Sequence, residues 1–300
     1  MGNLRGSVLM VLSMAGFAIE DMFIKQMAGA LPVGQILVLL GAGGAVIFAA
    51  TAWLRGDRIF SRDILNGAVV WRLLGEVVGT IGFVTALALT PISTASAILQ
   101  AVPLAITLGA ALFLGETVGW RRWSAILVGF LGVLLIIRPG LDGFVPASLF
   151  AVQGVVGLAI RDLATRKVPA SITSVQLSTY AFASLVPTGF AMLAVLGQPM
   201  QTPAPTDLAR LAAALAIGVV AYTAVVAATR IGEVAVVAPF RYSRIIFALI
   251  VGFVVFSERP DALTLGGAAI IVGSGIYTLL REARVRRSAR RASLAAPSGV

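Results

Sequence analysis

PLAITLGAALFLGE, residues 103–116, and RIIFALIVGFVVFSE, residues 244–258, are two apolar runs of helix length, each closing on a small residue and a glutamate. The surroundings of the two runs repeat as well. A short polar link and the glycine-rich LVGFLGVLLII follow the first, and LTLGGAAIIVGSGIYTLL follows the second. Glu116 and Glu258 are matching punctuation marks in two halves of one chain.

Reading outward from these runs, long apolar stretches bounded by charge, proline or glycine predict spans near 6–28, 33–54, 65–89, 93–114 and 121–138. A second set of five falls near 146–167, 172–197, 207–229, 234–257 and 262–281. Each is close to the roughly 20 apolar residues that cross about 30 Å of hydrocarbon. Of the 300 residues, 59% are hydrophobic and only 12% are charged, and the mean hydropathy is +0.98. A soluble domain carries about 25% charged residues, so the fold class is an all-α integral membrane protein of ten transmembrane helices.

The net charge of +10 belongs to membrane topology rather than to nucleic acid. With the N-terminus in the cytoplasm, sixteen of the 23 basic residues fall on one side, including Arg5, Arg55, Arg121, Arg161 and Arg166, together with the C-terminal arginines. Lys25, Arg138, Arg210 and Arg259 fall on the other side, and Arg72, Arg241 and Arg244 fall within spans. The positive-inside rule then places both termini in the cytoplasm. Five helices per half send the second half into the membrane from the opposite side, so the two five-helix repeats are inverted. The domain reading is a first repeat at 1–140, a second at 141–282, and a basic cytoplasmic tail at 283–300. That tail, with RVRRSARRAS, is expected to be disordered and to lie against anionic lipid. The first apolar segment shows no cleavage pattern and is expected to be retained as a helix.

The stretch 86–140, with ALTPISTASAILQAVP and its LGE ending, and the stretch 234–282, with VAVVAPFRYSR and SERPDALTLGG, resemble the EamA-type drug/metabolite transporters. The resemblance covers Gly2 to Glu282. It implies ten helices, two inverted repeats, a basket-like cavity and export of small metabolites from a bacterial inner membrane. Among its branches the chain is similar to exporters of aromatic and other neutral amino acids. PFRYSR and SERPDALTLGG are also similar to uptake carriers for S-adenosylmethionine or riboflavin.

Absent cysteine and histidine remove thiolate chemistry, imidazole bases and the usual zinc ligands, so no catalytic residue, metal or cofactor is expected. No phosphate-binding loop appears, and no charge ring of a channel. Transport by alternating access is the expectation, with a site near mid-membrane at the repeat interface, between the third, fourth, eighth and ninth helices.

Ionisable groups at membrane depth are functional candidates. Glu20 and Asp21 lie in the first span, Arg72 and Glu76 one turn apart in the third, and Arg241 and Arg244 in the ninth. Arg244 is the candidate for capturing a carboxylate, with Glu76 or Glu20 accepting an ammonium. The alternatives are that Asp21 pairs with Lys25 near the outer mouth, that Arg72 and Glu76 form a structural pair, and that the two arginines snorkel. Trp71, Gln100, Tyr222, Phe240 and Tyr242, with Tyr180, complete the expected pocket. Pro103 and Pro239 are the expected hinges.

Overall fold

The computed structural model describes residues 2–57, 59, 62–116, 118–169, 171–231 and 233–295. Twelve α-helices account for the ten spans: α1 (Gly2–Ala28), α2 (Val33–Leu54), α3 (Gly67–Leu89), α4 (Ile92–Leu99), α5 (Val102–Phe113), α6 (Trp120–Ile137), α7 (Leu149–Thr165), α8 (Ser174–Leu196), α9 (Pro205–Ile231), α10 (Val234–Val237), α11 (Ser243–Phe256) and α12 (Ala262–Ala295). Among the described residues ten segments are long and apolar enough to cross a membrane, and no strand occurs.

The fourth span is broken. α4 ends at Leu99, Gln100 and Ala101 form a tight turn, and Pro103 sits in the first turn of α5. Proline has no N–H, so the Leu99 carbonyl loses its helical donor, and the ring is tolerated only where a helix begins. The ninth span is interrupted as well. α10 gives way to a 3₁₀ segment, Ala238–Tyr242, with Pro239 in its first turn, before α11 resumes. Both sequence-expected prolines thus lie at interruptions of a span.

Helices associate in pairs: α1 with α9, α2 with α8, α3 with α7, α4 with α11, and α6 with α12. Lipid offers no hydrophobic drive to join helices, so close backbone approach and dispersion hold them. Glycines make that approach. A Cβ on Gly82 would lie 2.6 Å from the Gly154 nitrogen, and one on Gly34 would lie 2.7 Å from the Gly189 carbonyl oxygen. Between α6 and α12, a Cβ on Gly267 would lie 2.6 Å from the Gly132 carbonyl oxygen.

The largest apolar cluster occupies one end of the bundle, where α1 and α3 finish and α2 and α4 begin, and includes Met27, Leu37, Leu87, Ile92 and Ile98. The other end is divided. Met10, Met14, Ala228 and Val237 cluster around α1, α9 and α10, while Val69, Ile172 and Leu177 cluster separately around α3 and α8.

The basic tail departs from the expected disorder. α12 continues without interruption to Ala295, through alanine, arginine and leucine, which favour helix, with no proline or glycine between Ile276 and Ala295. The side chains beyond Arg284 and residues 296–300 lie outside the described residues.

Candidate functional site

Arg244, on the first turn of α11, donates from Nη2 to Asp21 Oδ2 at 2.7 Å, bridging α11 to α1. Asp21 is 3% exposed. The guanidinium carbon stands 5.4 Å from the ring centroids of both Phe17 on α1 and Phe83 on α3. A delocalised, weakly hydrated cation suits such a slot, where ring faces attract it and one carboxylate fixes it. The Nε of Arg244 is buried with no hydrogen-bond partner. Glu20 turns the other way, as its roughly 100° offset from Asp21 requires. A Cβ on Gly218 of α9 would lie 2.7 Å from its Oε1.

A second group joins α3 to α7. Arg161 Nη1 donates to Glu76 Oε1 at 3.3 Å and its Nε donates to Asp162 Oδ1 at 2.8 Å. Arg72 Nη1 lies 3.9 Å from Glu76 Oε2 and donates to the Leu177 carbonyl at 3.4 Å. Four carboxylates, Glu20, Asp21, Glu76 and Asp162, therefore share the bundle interior with the guanidiniums of Arg72, Arg161 and Arg244, while Arg241 is exposed.

The structure redistributes several sequence expectations. Asp21 does not pair with Lys25. Lys25 Nζ instead donates to the Leu87 and Thr90 carbonyls at 3.0 and 2.5 Å, satisfying acceptors left open where α3 ends. Arg72 and Glu76 do approach each other, but Arg161 is the nearer partner of Glu76. The sequence reading counts Arg161 on the cytoplasmic side, near the end of the expected span 146–167. α7 runs on to Thr165, so Arg161 lies one turn inside the helix end, and Asp162 went unnoticed beside it.

Among the other candidates, Gln100 is buried at the α4–α5 break, and Tyr242 is buried where the ninth span resumes its α-helical course, its hydroxyl unpartnered. Tyr222 accepts from the Ser178 hydroxyl at 3.3 Å and meets Phe48 edge-on at 5.7 Å. Trp71 is 60% exposed and Phe240 is exposed, so neither joins the buried cluster. Arg72 faces inward, which turns the adjacent Trp71 about 100° away. Tyr180 donates to the Ile59 carbonyl and serves a loop. Phe17, Phe83, Arg161 and Asp162 join the candidate site, and the sequence reading did not select them. An adjacent Arg-Asp pair inside an apolar run was the available signal for the last two. Nothing in the sequence marks the two phenylalanines.

The model of the EamA-like transporter family matches residues 4–138 and 145–280. The chain is 28% identical over 196 residues to an S-adenosylmethionine uptake transporter of Rickettsia felis, covering 65% of this chain and 66% of that protein. The chain thus spans just under two thirds of the length of that relative. It is 30% identical to a riboflavin transporter of Rhizobium johnstonii, covering 72% of each, and 29% identical to the pseudopaline exporter CntI of Pseudomonas aeruginosa, covering 89% of this chain and 93% of that one. These relatives are not specifically amino-acid exporters, which moves the likeness away from that branch. A crystal structure of a protein superposes with a TM-score of 0.57 at 20% identity, covering 89% of this chain and 97% of that one. With ten segments long and apolar enough to cross a membrane among the described residues, and two stretches that match one transporter family, the chain is a multi-pass membrane protein that belongs to the EamA-like transporter family.

Proposed function

We propose that the chain is a secondary carrier for a small metabolite with an amino-acid head group, exporting neutral and aromatic amino acids across a bacterial inner membrane by alternating access. The observation that carries this reading is the Arg244–Asp21 pair between Phe17 and Phe83. An α-carboxylate exchanges with Asp21 on the guanidinium fork, the released carboxylate of Asp21 or Glu20 accepts the ammonium, and the rings cover an apolar or aromatic body. Gln100, Tyr222, Tyr242 and Glu76 supply further polar edges.

The proposed frame is two inverted repeats, 1–140 and 141–282, with both termini cytoplasmic and the tail 283–300 on anionic lipid. The helix pairing supports it, since exchanging each span with the one five places later returns the same set of pairs. A common offset of 142 residues also separates Glu116 from Glu258 and Lys25 from Lys167. Pro103 and Pro239 serve as hinges where the spans are broken. The apolar cluster at one end and the divided packing at the other suit a carrier closed toward one face.

A second reading, uptake of S-adenosylmethionine or riboflavin, is favoured by what two of the relatives carry. The deciding experiment loads proteoliposomes and compares flux of labelled phenylalanine, methionine and threonine with that of S-adenosylmethionine and riboflavin. Amino-acid flux above empty vesicles supports the first reading. Flux of the larger compounds alone replaces it with the second, and no flux of either overturns both.

A further inference from the structure

Glu258 follows α11 on a left-handed turn at Ser257, whose φ is 54°. Its carboxylate crosses to the other half of the chain, where Oε1 accepts from the Ile92 N–H at 2.7 Å. Oε2 accepts from the Ser93 N–H at 3.0 Å and from the Ser93 hydroxyl at 2.6 Å. An anion at the N-terminus of α4 satisfies donors that the helix leaves open. Beside it Lys25 of α1 holds the last carbonyls of α3 and lies 5.4 Å from the Phe256 ring. One carboxylate and one ammonium thereby tie α1, α3, α4 and α11 together at the end that carries the large apolar cluster. A cavity of about 360 Å³ adjoins this tie and is lined in part by Thr90, Ser93 and Glu258.

The repeated position in the first half behaves differently. Glu116 also follows a left-handed residue, Gly115, with φ 67°, and its N–H donates to Ala110 as that of Glu258 donates to Gly252. The backbone turn is repeated but the carboxylate is not placed alike. Glu116 pairs with Arg166 at 2.8 Å, both side chains being substantially exposed. A difference lies six residues back. A Cβ on Gly252 would stand 2.7 Å from Glu258 Oε2 and 3.3 Å from Ile92 Cγ2, so any larger residue pushes the carboxylate out of the pose in which it folds over the helix end. The residue 142 positions earlier is Ala110, which has that Cβ.

We infer that Glu258 is a one-sided latch. Its carboxylate holds the end of α11 on the start of α4 and shuts this face of the bundle against the buried site, and the Ala110 methyl denies Glu116 the matching pose at the opposite face. The inference rests on the carrier reading, but its test needs no substrate, so its failure is distinguishable from failure of the flux experiment.

The chain lacks cysteine, so single-cysteine reporters need no background substitutions. Ser96 is fully buried on α4, one turn inward from Ser93, and Arg259 is exposed on the latch face. Sealed vesicles carrying Ser96→Cys or Arg259→Cys are treated with a membrane-impermeant maleimide on the face where Arg259→Cys reacts. Ser96→Cys is expected to react at least tenfold more slowly than Arg259→Cys. Adding Glu258→Ala or Gly252→Ala raises the Ser96→Cys rate tenfold or more, and Glu258→Gln, which keeps an acceptor but no charge, gives a smaller rise. Monodisperse elution in detergent checks folding, and Glu258→Gln stands in for any variant that fails it. Equal rates for Ser96→Cys with and without these changes overturn the latch.

Discussion

Arg244 has one carboxylate partner and two aromatic neighbours, while Asp21 is almost wholly withdrawn from solvent. A buried pair of this kind is a poor source of net stability, yet removing one member strands a charge, at a cost of about 3–5 kcal/mol. Arg244→Ala is expected to lower the thermal midpoint in detergent and abolish flux. Arg244→Ala with Asp21→Ala is expected to recover much of the midpoint and none of the flux. Recovery of both would make the pair purely structural. Arg244→Lys keeps the charge but loses the planar fork and the ring contacts, so stability is expected to fall less than transport.

Asp261 behaves differently because it is half exposed. The Arg138 guanidinium, with a further hydrogen bond from the Thr264 N–H, holds its carboxyl down to about 2, below the ordinary 3.8. A depressed carboxylate contributes stability above its unfolded pKa and loses it as pH falls through the folded one. Unfolding midpoints of the parent and Asp261→Asn are therefore expected to differ above pH 4 and to converge as pH falls toward 2. A constant difference over that window contradicts the assignment. At this scale the sequence disclosed Glu20, Asp21, Arg72, Glu76 and Arg244 as charges at membrane depth, but neither Arg161 and Asp162 nor any of the partners across helices. Asp21 pairs with a residue 223 positions away, and helical spacing carries information only about neighbours three or four positions apart.

The helices themselves were far more legible. The expected span 33–54 coincides with α2, and 65–89 overruns α3 by two residues at its start. Apolar length and flanking charge set these limits, and both are local. The breaks were legible only through their prolines, since nothing marks Gln100 or Tyr242 as the place where a helix turns. Helix pairing was legible through small residues, whose value depends on what faces them. Gly79 and Gly157 meet backbone to backbone between α3 and α7. Gly157→Leu is expected to force these helices apart, costing on the order of 1–3 kcal/mol from overpacking and loosening the Arg161–Glu76 pair. Gly273, where an added Cβ would meet open space, is the control, and Gly273→Ala is expected to hold or slightly raise the midpoint, since alanine favours helix over glycine. Equal thermal midpoints for Gly157→Leu and the parent would show that this contact does not hold the helices.

For the whole molecule, hydropathy announced the membrane and charge asymmetry suggested an orientation, but neither revealed the uneven distribution of packing along the bundle. That unevenness depends on which apolar side chains meet across elements far apart in sequence. Leu87, Ile98 and Ile271 belong to one cluster, whereas Met10 and Val69 belong to separate ones at the other end. Under the carrier reading, molecules open toward the clustered end form the minor population. The apparent dissociation constant measured from that face is the intrinsic one divided by the fraction of molecules that are open. One substrate is therefore expected to show unequal half-saturation in vesicles of opposite orientation, weaker from the Glu258 face. If one molecule in a hundred were open there, binding from that side would weaken about a hundredfold with no change in any contact to the substrate. The lopsided core would then work as a rectifier, biasing the side from which dilute solute is captured even when the site itself has no preference.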